Sequence, residues 1–174
     1  MKQLIALHRI AFRPLALAAA LFALAGVGYA DDGIDPARRF SWSENAGWQN
    51  WRTSLESATA DLRFLSGYVW SENVGWIKLG TGTGPYANTA AGNWGVNIDA
   101  DNLSGYAWSE TAGWISFSTA KGSATIDRQT GQFGGWAWGE NIGWIHLAGI
   151  AVDAEDYGAR TFYTFLRGTV LCIR

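Results

Sequence analysis

Apolar and polar residues alternate along several short stretches of this chain, which is the pattern of β-strands that bury one face. The clearest stretch reads YVW at 68–70 and resumes, after a polar interval, as WIKL at 76–79. The interval has five residues, Ser-Glu-Asn-Val-Gly. Gly and Asn tolerate the positive φ of a tight reversal, and Ser and Asn can hydrogen-bond their own backbone. The pattern therefore predicts a β-hairpin and does not fit the spacing of a helix.

The same hairpin pattern occurs four times, with the consensus aromatic-x-W-S-E-N-x-G-W-I-x-[LF]. We place the hairpins near 40–51, 65–80, 103–118 and 133–148. The first tryptophans of successive copies are separated by 28, 38 and 30 residues. The long interval contains an insertion rich in Gly, Thr, Ala and Asn at 80–92, which predicts a loop. A short strand-like segment precedes each later copy, so a unit has about three short antiparallel strands and the first unit is shortened.

These units predict a single all-β domain of tandem Trp-rich hairpins that spans 31–174 and contains about 11 to 13 strands. The pattern leaves open a barrel, a prism-like stack and a small solenoid. Closure or stacking would hide strand edges that a Trp-rich sheet cannot leave bare in water without aggregating. The stretch 152–174 lacks the hairpin signature and is predicted to cap the domain with one or two further strands. Its Val152-Asp153 pair resembles the segments that precede the hairpins.

Strand register follows from the turn and separates two faces of each hairpin. If Trp70 pairs with Trp76, then Val69 lies opposite Ile77 on one face. That face is apolar in each complete copy and is predicted to form the core: Val69, Ile77, Leu79, Ala107, Ile115, Phe117, Ala137, Ile145 and Leu147. The other face mixes rings with polar residues and is the candidate ligand-binding surface: Tyr68, Trp70, Trp76, Lys78, Tyr106, Trp108, Trp114, Ser116, Trp136, Trp138, Trp144 and His146.

Two interpretations of the aromatic face remain open. In the first, the rings stack between neighbouring units as a second apolar layer, and each aromatic cross-strand pair contributes roughly 0.2–1 kcal/mol. In the second, part of the face is open and offers rings on which a sugar or a polymer can lie. Repetition in every unit favours a structural role for most rings, since repeat units need the same packing each time. The two interpretations coexist if inner rings are packed and rim rings are exposed.

An acidic residue recurs at one position of the four turns: Glu44, Glu72, Glu110 and Glu140. We favour a solvated turn residue here, and the alternative is a polar contact beside a Trp that suits sugar hydroxyls. A glycosidase needs two carboxyl groups in different environments, so that one is protonated and the other is not. Acids repeated at equivalent places have equivalent environments. The repeat therefore argues against an enzyme, although an unlike Glu/Asp pair remains the alternative.

Signatures of metal binding and of nucleophilic catalysis are scarce. After residue 30 the chain has one histidine, His146, and one cysteine, Cys172, which argues against a zinc site. Cys172 lies in an apolar stretch and is interpreted as a small apolar residue rather than a linking thiol. Asp99 and Asp101 are weak calcium candidates, but the EF-hand spacing is not matched, so we favour an ordinary acidic turn. We expect no other cofactor.

The first thirty residues predict a secretory signal peptide. A basic start with three bases and no acid leads into an apolar run of thirteen residues at 15–27, and small residues suit cleavage after Ala30. A spanning helix needs about 20 apolar residues, so we expect no membrane span after cleavage. The mature chain holds all 15 acids and 10 of the 13 bases, for a net charge of −5. That charge argues against nucleic acid and anionic lipid as partners.

Together these features predict a protein that is secreted or periplasmic and associated with the cell surface. The first hypothesis is a non-catalytic module that binds a glycan or another surface polymer through the repeated aromatic–polar face. A structural or assembly protein of the cell surface or extracellular matrix, which self-associates through its hairpins, is the first alternative. A carbohydrate-active enzyme that uses a Glu/Asp pair is the second.

Overall fold

The computed structural model describes residues 33–162, which form fourteen β-strands and no helix. The strands are β1 (Phe40–Ser43), β2 (Gly47–Asn50), β3 (Ala58–Ala60), β4 (Leu65–Ser71), β5 (Gly75–Lys78), β6 (Val96–Asp99), β7 (Asn102–Ser109), β8 (Gly113–Ser116), β9 (Ser118–Thr119), β10 (Gly122–Ile126), β11 (Phe133–Gly139), β12 (Gly143–His146), β13 (Ala148–Ile150) and β14 (Asp156–Gly158). The predicted signal peptide at 1–30, Cys172 and the 163–174 part of the predicted cap lie outside the described residues. Nowhere in 33–162 is there a helix long and apolar enough to cross a membrane.

Eight strands close into an antiparallel barrel in the order β1-β2-β4-β5-β7-β8-β11-β12. The ring is completed where β12 pairs with β1, with Trp42 opposite His146 and Ser43 opposite Ile145. Each predicted hairpin supplies two neighbouring barrel strands. Because the sheet closes on itself, the architecture is a barrel and not a prism-like stack or a small solenoid.

The register inside each hairpin is the one that the alternation predicts. Trp70 lies opposite Trp76 and Val69 lies opposite Ile77, and the third and fourth copies repeat this register. The nine residues of the predicted core face are all buried. Only about 20 Å³ remains among the interior side chains, about the room of one water molecule. The barrel interior is therefore a packed core and offers no space for a larger ligand.

Outer strands extend the last three hairpins, as the three-strand units predict. β3, β6 and β10 pair with the first halves of β4, β7 and β11, which then bend into the barrel. The bend in β4 lies at Gly67, where φ is 79° and a Cβ atom would lie 2.1 Å from the carbonyl oxygen of Ser57. Only glycine accepts this conformation and this contact, which explains why a Gly precedes the first ring of each later copy. The strand count exceeds the predicted 11 to 13 because β9 and β13 carry no sequence signal of their own.

The first copy places polar groups inside the barrel, which the consensus does not predict. Ser41 and Gln49 are buried where the other copies have aliphatic residues, and Trp51 is buried where they have Leu or Phe. The Trp51 indole N–H donates to the Ser41 hydroxyl at 2.8 Å, and that hydroxyl donates to the Gln49 side-chain oxygen at 2.8 Å. The Gln49 amide donates to the Gly47 carbonyl at 2.6 Å. Each of these buried polar groups is thus satisfied.

The two ends of the described chain meet beside the first hairpin. Residues 158–162 run along 33–38, with the Asp35 N–H donating to the Arg160 carbonyl and the Phe162 N–H donating to the Gly33 carbonyl. The Arg160 guanidinium also forms a salt bridge with Asp35. This segment stands where the later copies have an upstream strand. The Val152-Asp153 pair does not form such a strand, because it lies in the turn between β13 and β14 with Val152 fully exposed.

Candidate functional site

The aromatic residues of the four hairpins lie on the outside of the barrel, and none of the twelve is buried. Six of these rings are exposed by 36–46%, namely Trp42, Trp70, Tyr106, Trp114, Trp136 and Trp138. The other six are half-buried: Phe40, Trp48, Tyr68, Trp76, Trp108 and Trp144. The rings of this layer therefore pack on one another and also remain partly open.

Paired tryptophans within a hairpin pack edge to face. The ring centroids of Trp70 and Trp76 are 4.9 Å apart at an interplanar angle of 72°. The pairs at 108/114 and 138/144 are both 4.8 Å apart with angles of 63° and 64°. Residues that face each other across neighbouring antiparallel strands are held this close by the ladder, and such a ring pair contributes about 0.5–1.5 kcal/mol. Each pair thus holds its two indole rings against each other on the outer face of the hairpin.

Neighbouring hairpins meet at four seams, and each seam places a polar residue opposite a tryptophan. Lys78 of the second copy lies opposite Trp108 of the third, and Ser116 of the third lies opposite Trp138 of the fourth. The other two seams place Asn50 opposite Trp70 and His146 opposite Trp42. The candidate polar positions therefore lie beside rings of the next copy as well as rings of their own.

The turn signature links each hairpin to the preceding one. The buried Ser71 hydroxyl donates to the Ala46 carbonyl at 2.6 Å, and the Asn73 amide donates to the Asn45 carbonyl at 3.0 Å. Equivalent bonds from Ser43, Asn45, Ser109 and Asn141 reach the preceding turn. The S and N of the motif therefore hold the four turns together as a ring at one end of the barrel.

The recurring glutamates lie on the solvent side of these turns. Glu44, Glu72, Glu110 and Glu140 are all exposed. The Glu72 carboxylate accepts a hydrogen bond from the backbone N–H of Trp48 at 3.1 Å, and Glu140 lines a groove between the third and fourth copies. Equivalent sequence positions thus have different neighbours once the barrel is closed.

A groove beside the third hairpin, which we call the loop groove, has a volume of about 660 Å³. Its walls are the backbone segment 88–91 and six side chains: Trp94, Tyr106, Trp114, Ser116, Trp138 and Glu140. The rings of Trp94 and Trp114 stand at 89° with centroids 5.1 Å apart. Two perpendicular indoles therefore form one corner of the groove, and residues 88–91 of the 80–92 insertion line its side.

Tyr86 holds the insertion against the barrel. Its side chain is buried, and its hydroxyl donates to the carbonyl of Gly82 at 2.5 Å or of Leu65 at 3.1 Å. Burial raises the pKa of this hydroxyl above its usual value of 10.0. The Asn97 side-chain oxygen accepts from the Tyr86 N–H at 2.7 Å, and the Asn88 oxygen accepts from the Gly95 N–H at 3.0 Å. The insertion predicted as a loop is therefore internally bonded and fixes the Trp94 wall.

A second groove, which we call the seam groove, lies where the fourth copy meets the first and measures about 680 Å³. Trp42, Trp48, His146 and Tyr157 line it together with residues 150–153. The Tyr157 hydroxyl lies 3.0 Å from His146 Nδ1. Burial lowers the pKa of His146 from its usual 6.5 and raises that of Tyr157 from 10.0, so both side chains are neutral at pH 7.

Two smaller pockets lie between the grooves. One, of about 320 Å³, is lined by residues 119–121, Trp138 and Trp144, and the other, of about 250 Å³, is lined by Lys121, Trp136 and Trp144. Trp138 also lines the loop groove, and Trp136 stacks on His146 of the seam groove with centroids 3.8 Å apart. The open rings thus form a continuous aromatic track around the third, fourth and first copies.

The weak calcium candidates lie apart from this track. Asp99 pairs with Asn102 across a tight turn in which Ala100 has a φ of 50°, and both Asp99 and Asp101 are exposed. Among residues 33–162, no group of three His, Cys, Asp or Glu side chains is placed to hold a metal ion.

The repeat pattern does not predict several residues of the track. Trp94 lies outside the hairpin consensus, and Tyr157 belongs to the β13–β14 segment, which has no repeat signature. Trp42 and Trp48 occupy consensus positions of the first copy but are not among the predicted surface residues. No protein-family model, curated protein or solved structure matches the chain.

Proposed function

We propose that this protein is an exported, non-catalytic module that binds a carbohydrate or another cell-surface polymer on its outer aromatic track. The observation that carries the proposal is the continuous row of open rings on a barrel whose interior is filled. Ligand sites are usually lined by aromatic side chains with a few placed polar groups, and contiguous exposed apolar surface marks an interaction site. A track that runs over three hairpins suits an extended ligand better than a single small molecule.

The distribution of charge supports a neutral or cationic ligand. Within the described range, neither groove is lined by Lys or Arg, whereas Glu140 lines the loop groove and Asp153 lines the seam groove. The basic residue that lines the two smaller pockets of the track is Lys121. Nucleic acids and other polyanions require basic contacts to release their counterions. These polymers are therefore poor candidates.

The carboxylates favour binding over hydrolysis. Glycosidases use two carboxyl groups that flank one bond about 5 to 9.5 Å apart. Each groove, as far as the described residues line it, carries one carboxylate, Glu140 or Asp153. A pair of unlike acids in one cleft, which the enzyme alternative requires, is not among the lining residues.

The test is retention of the purified protein on a panel of insoluble and soluble polysaccharides, with affinity electrophoresis as the quantitative assay. We expect at least one neutral or amino-sugar polymer to retard the protein. Trp138→Ala should weaken retardation about tenfold, because this ring lines both the loop groove and the adjoining pocket. Trp70→Ala is the matched control, since Trp70 is equally exposed and lines neither groove. Absence of retention on the whole panel, or equal loss in both variants, would overturn the proposal.

Self-association is the second candidate, and the β13–β14 segment favours it. Ile150 and Val152 are exposed apolar residues at the edge of the seam groove. Exposed apolar residues at a groove are typical of contacts between chains. Sedimentation velocity at increasing concentration checks this candidate, and a strict monomer at every concentration would exclude it.

A further inference from the structure

In the first and second copies of the repeat, a basic side chain of the protein lies over the first aromatic ring of the hairpin. The Lys78 ammonium nitrogen lies 5.9 Å from the centroid of the Tyr68 ring, directly across the strand pair. The Arg39 guanidinium carbon lies 5.2 Å from the centroid of Phe40. A cation within about 6 Å of a ring centroid is attracted by the ring quadrupole. This outer face of the hairpin is therefore suited to a positive charge.

The third copy leaves the equivalent ring open. Ser116 lies opposite Tyr106, as Lys78 lies opposite Tyr68 in the second copy. The Ser116 hydroxyl donates to the Ser118 carbonyl at 2.9 Å, and its short side chain cannot cover the ring. Tyr106 is 43% exposed and faces the loop groove.

The walls of the loop groove complete the surroundings that an organic cation needs. Trp94 and Trp114 form a perpendicular corner, Tyr106 stands at 72° to Trp114, and Trp138 faces them from across the seam. The Glu140 carboxylate is exposed at this groove and has no hydrogen-bond or ion-pair partner within residues 33–162. Several rings around one carboxylate provide both cation–π attraction and a counter-charge.

We propose that the loop groove binds an ammonium group of a ligand over the open face of Tyr106, with Glu140 as its counter-ion. The group is the protonated amine of an amino sugar or a quaternary ammonium, which share this chemistry. In the second copy the protein itself supplies the ammonium, from Lys78. In the third copy the ligand supplies it. For a polymeric amino sugar the inference rests on the proposed function, whereas for a free small cation it does not.

The test titrates tetramethylammonium, glucosamine oligomers and neutral N-acetylglucosamine oligomers into the purified protein, followed by tryptophan fluorescence and calorimetry. We expect saturable quenching by at least one of the two cations and affinity about tenfold higher for glucosamine than for N-acetylglucosamine oligomers if the amino sugar is the source. Glu140→Gln should weaken the cation about tenfold. Glu110→Gln is the matched control, because Glu110 occupies the same turn position in the preceding copy and does not line the loop groove.

A second variant places the second copy's own cation in the third copy. Ser116→Lys should fill the place of the ligand ammonium and abolish cation binding, and the second copy already tolerates Lys at this position. Near-ultraviolet circular dichroism reports whether the rings keep their packing in this variant. Since Glu140 is exposed, Glu140→Gln keeps the test valid if the lysine variant does not fold.

The outcomes separate this inference from the proposed function. Failure of both cations to bind, or unchanged cation affinity in Glu140→Gln, overturns the inference. Retention on neutral polysaccharides with no effect of Glu140→Gln overturns the inference and leaves the proposed function standing. Saturable, Glu140-dependent binding of tetramethylammonium without retention on any polymer supports the inference and overturns the proposed function.

Discussion

Two positions of the turn, three residues apart, differ together between copies of the repeat, and the change in size at one is offset by the change at the other. The first and third copies combine a buried Ser with a buried Ala three residues later, Ser43 with Ala46 and Ser109 with Ala112. The fourth copy has Gly139 and Ile142 instead. A Cβ atom on Gly139 would lie 2.6 Å from Cγ1 of Ile142, so the larger side chain occupies the space that the serine takes elsewhere.

A double-mutant cycle should reveal this coupling. We expect Gly139→Ser to reduce stability by about 1–3 kcal/mol through overpacking, and Ile142→Ala to reduce it by about 2–5 kcal/mol through a cavity. The double variant restores the Ser–Ala combination of the first copy. Its loss of unfolding free energy should be smaller, by about 1–3 kcal/mol, than the sum of the losses in the two single variants. Urea unfolding measures all three. Additive losses would show that the two positions do not share one space.

At the scale of the element, the four turns act as a linked ring rather than as independent loops. Asn45, Asn73 and Asn141 each donate a side-chain hydrogen bond to the preceding turn. The third copy has Thr111 at this position, which lacks an amide of that reach. Among residues 33–162, the contact from the Ser109 hydroxyl to the Val74 carbonyl, at 3.5 Å, is the motif side-chain bond that links this turn to the second copy.

Thr111→Asn should therefore strengthen the ring. The new amide can donate to a carbonyl of the second turn, and a hydrogen bond of this kind contributes about 0.5–1.5 kcal/mol. We expect the thermal midpoint to rise by a few degrees, which differential scanning calorimetry detects. Thr111→Ala is the control that lacks a donor. Equal midpoints for the Asn and Ala variants would count against a role for the amide.

At the scale of the whole molecule, the two ends of the described chain join beside the first hairpin, where 158–162 runs along 33–38. Burial alone would raise the pKa of Asp35. Hydrogen bonds from the Arg160 guanidinium and the Ala37 N–H, with the positive charges of Arg160 and Arg38, outweigh burial and hold the pKa below its usual 3.8. The ion pair thus favours the folded state wherever Asp35 is ionised.

This contact gives the protein an acid-sensitive part of its stability. A carboxyl group whose pKa is lower when folded stabilises fully above its unfolded pKa of 3.8, and the contribution is lost as the pH falls through the lower folded pKa. Asp35→Asn should therefore lower the free energy of unfolding by roughly 1–3 kcal/mol at pH 7 and by much less near pH 2. Chemical unfolding at both pH values checks this. The exposed Asp99→Asn is the control, and a pH-independent loss for Asp35→Asn would contradict the assignment to the ion pair.

Local pattern was enough to predict the hairpins, their register and their inward face. Val69 and Ile77 lie where the alternation predicts because side chains alternate with a period of two residues and a tight turn sets the pairing. The buried Ser41 and Gln49 escaped prediction because their hydrogen bonds satisfy polar groups that the alternation alone cannot interpret.

Tertiary structure alone decided that four hairpins close into a barrel, since pairing between β12 and β1 joins residues about a hundred positions apart. Closure also decided which rings share a groove. Trp94 follows the insertion and lies outside the consensus, whereas Trp114 and Trp138 occupy different consensus positions in two different copies. The alternation along the chain determined the two sides of every hairpin, because that property is local. The grooves depend on which hairpins become neighbours, and only the folded chain specifies that.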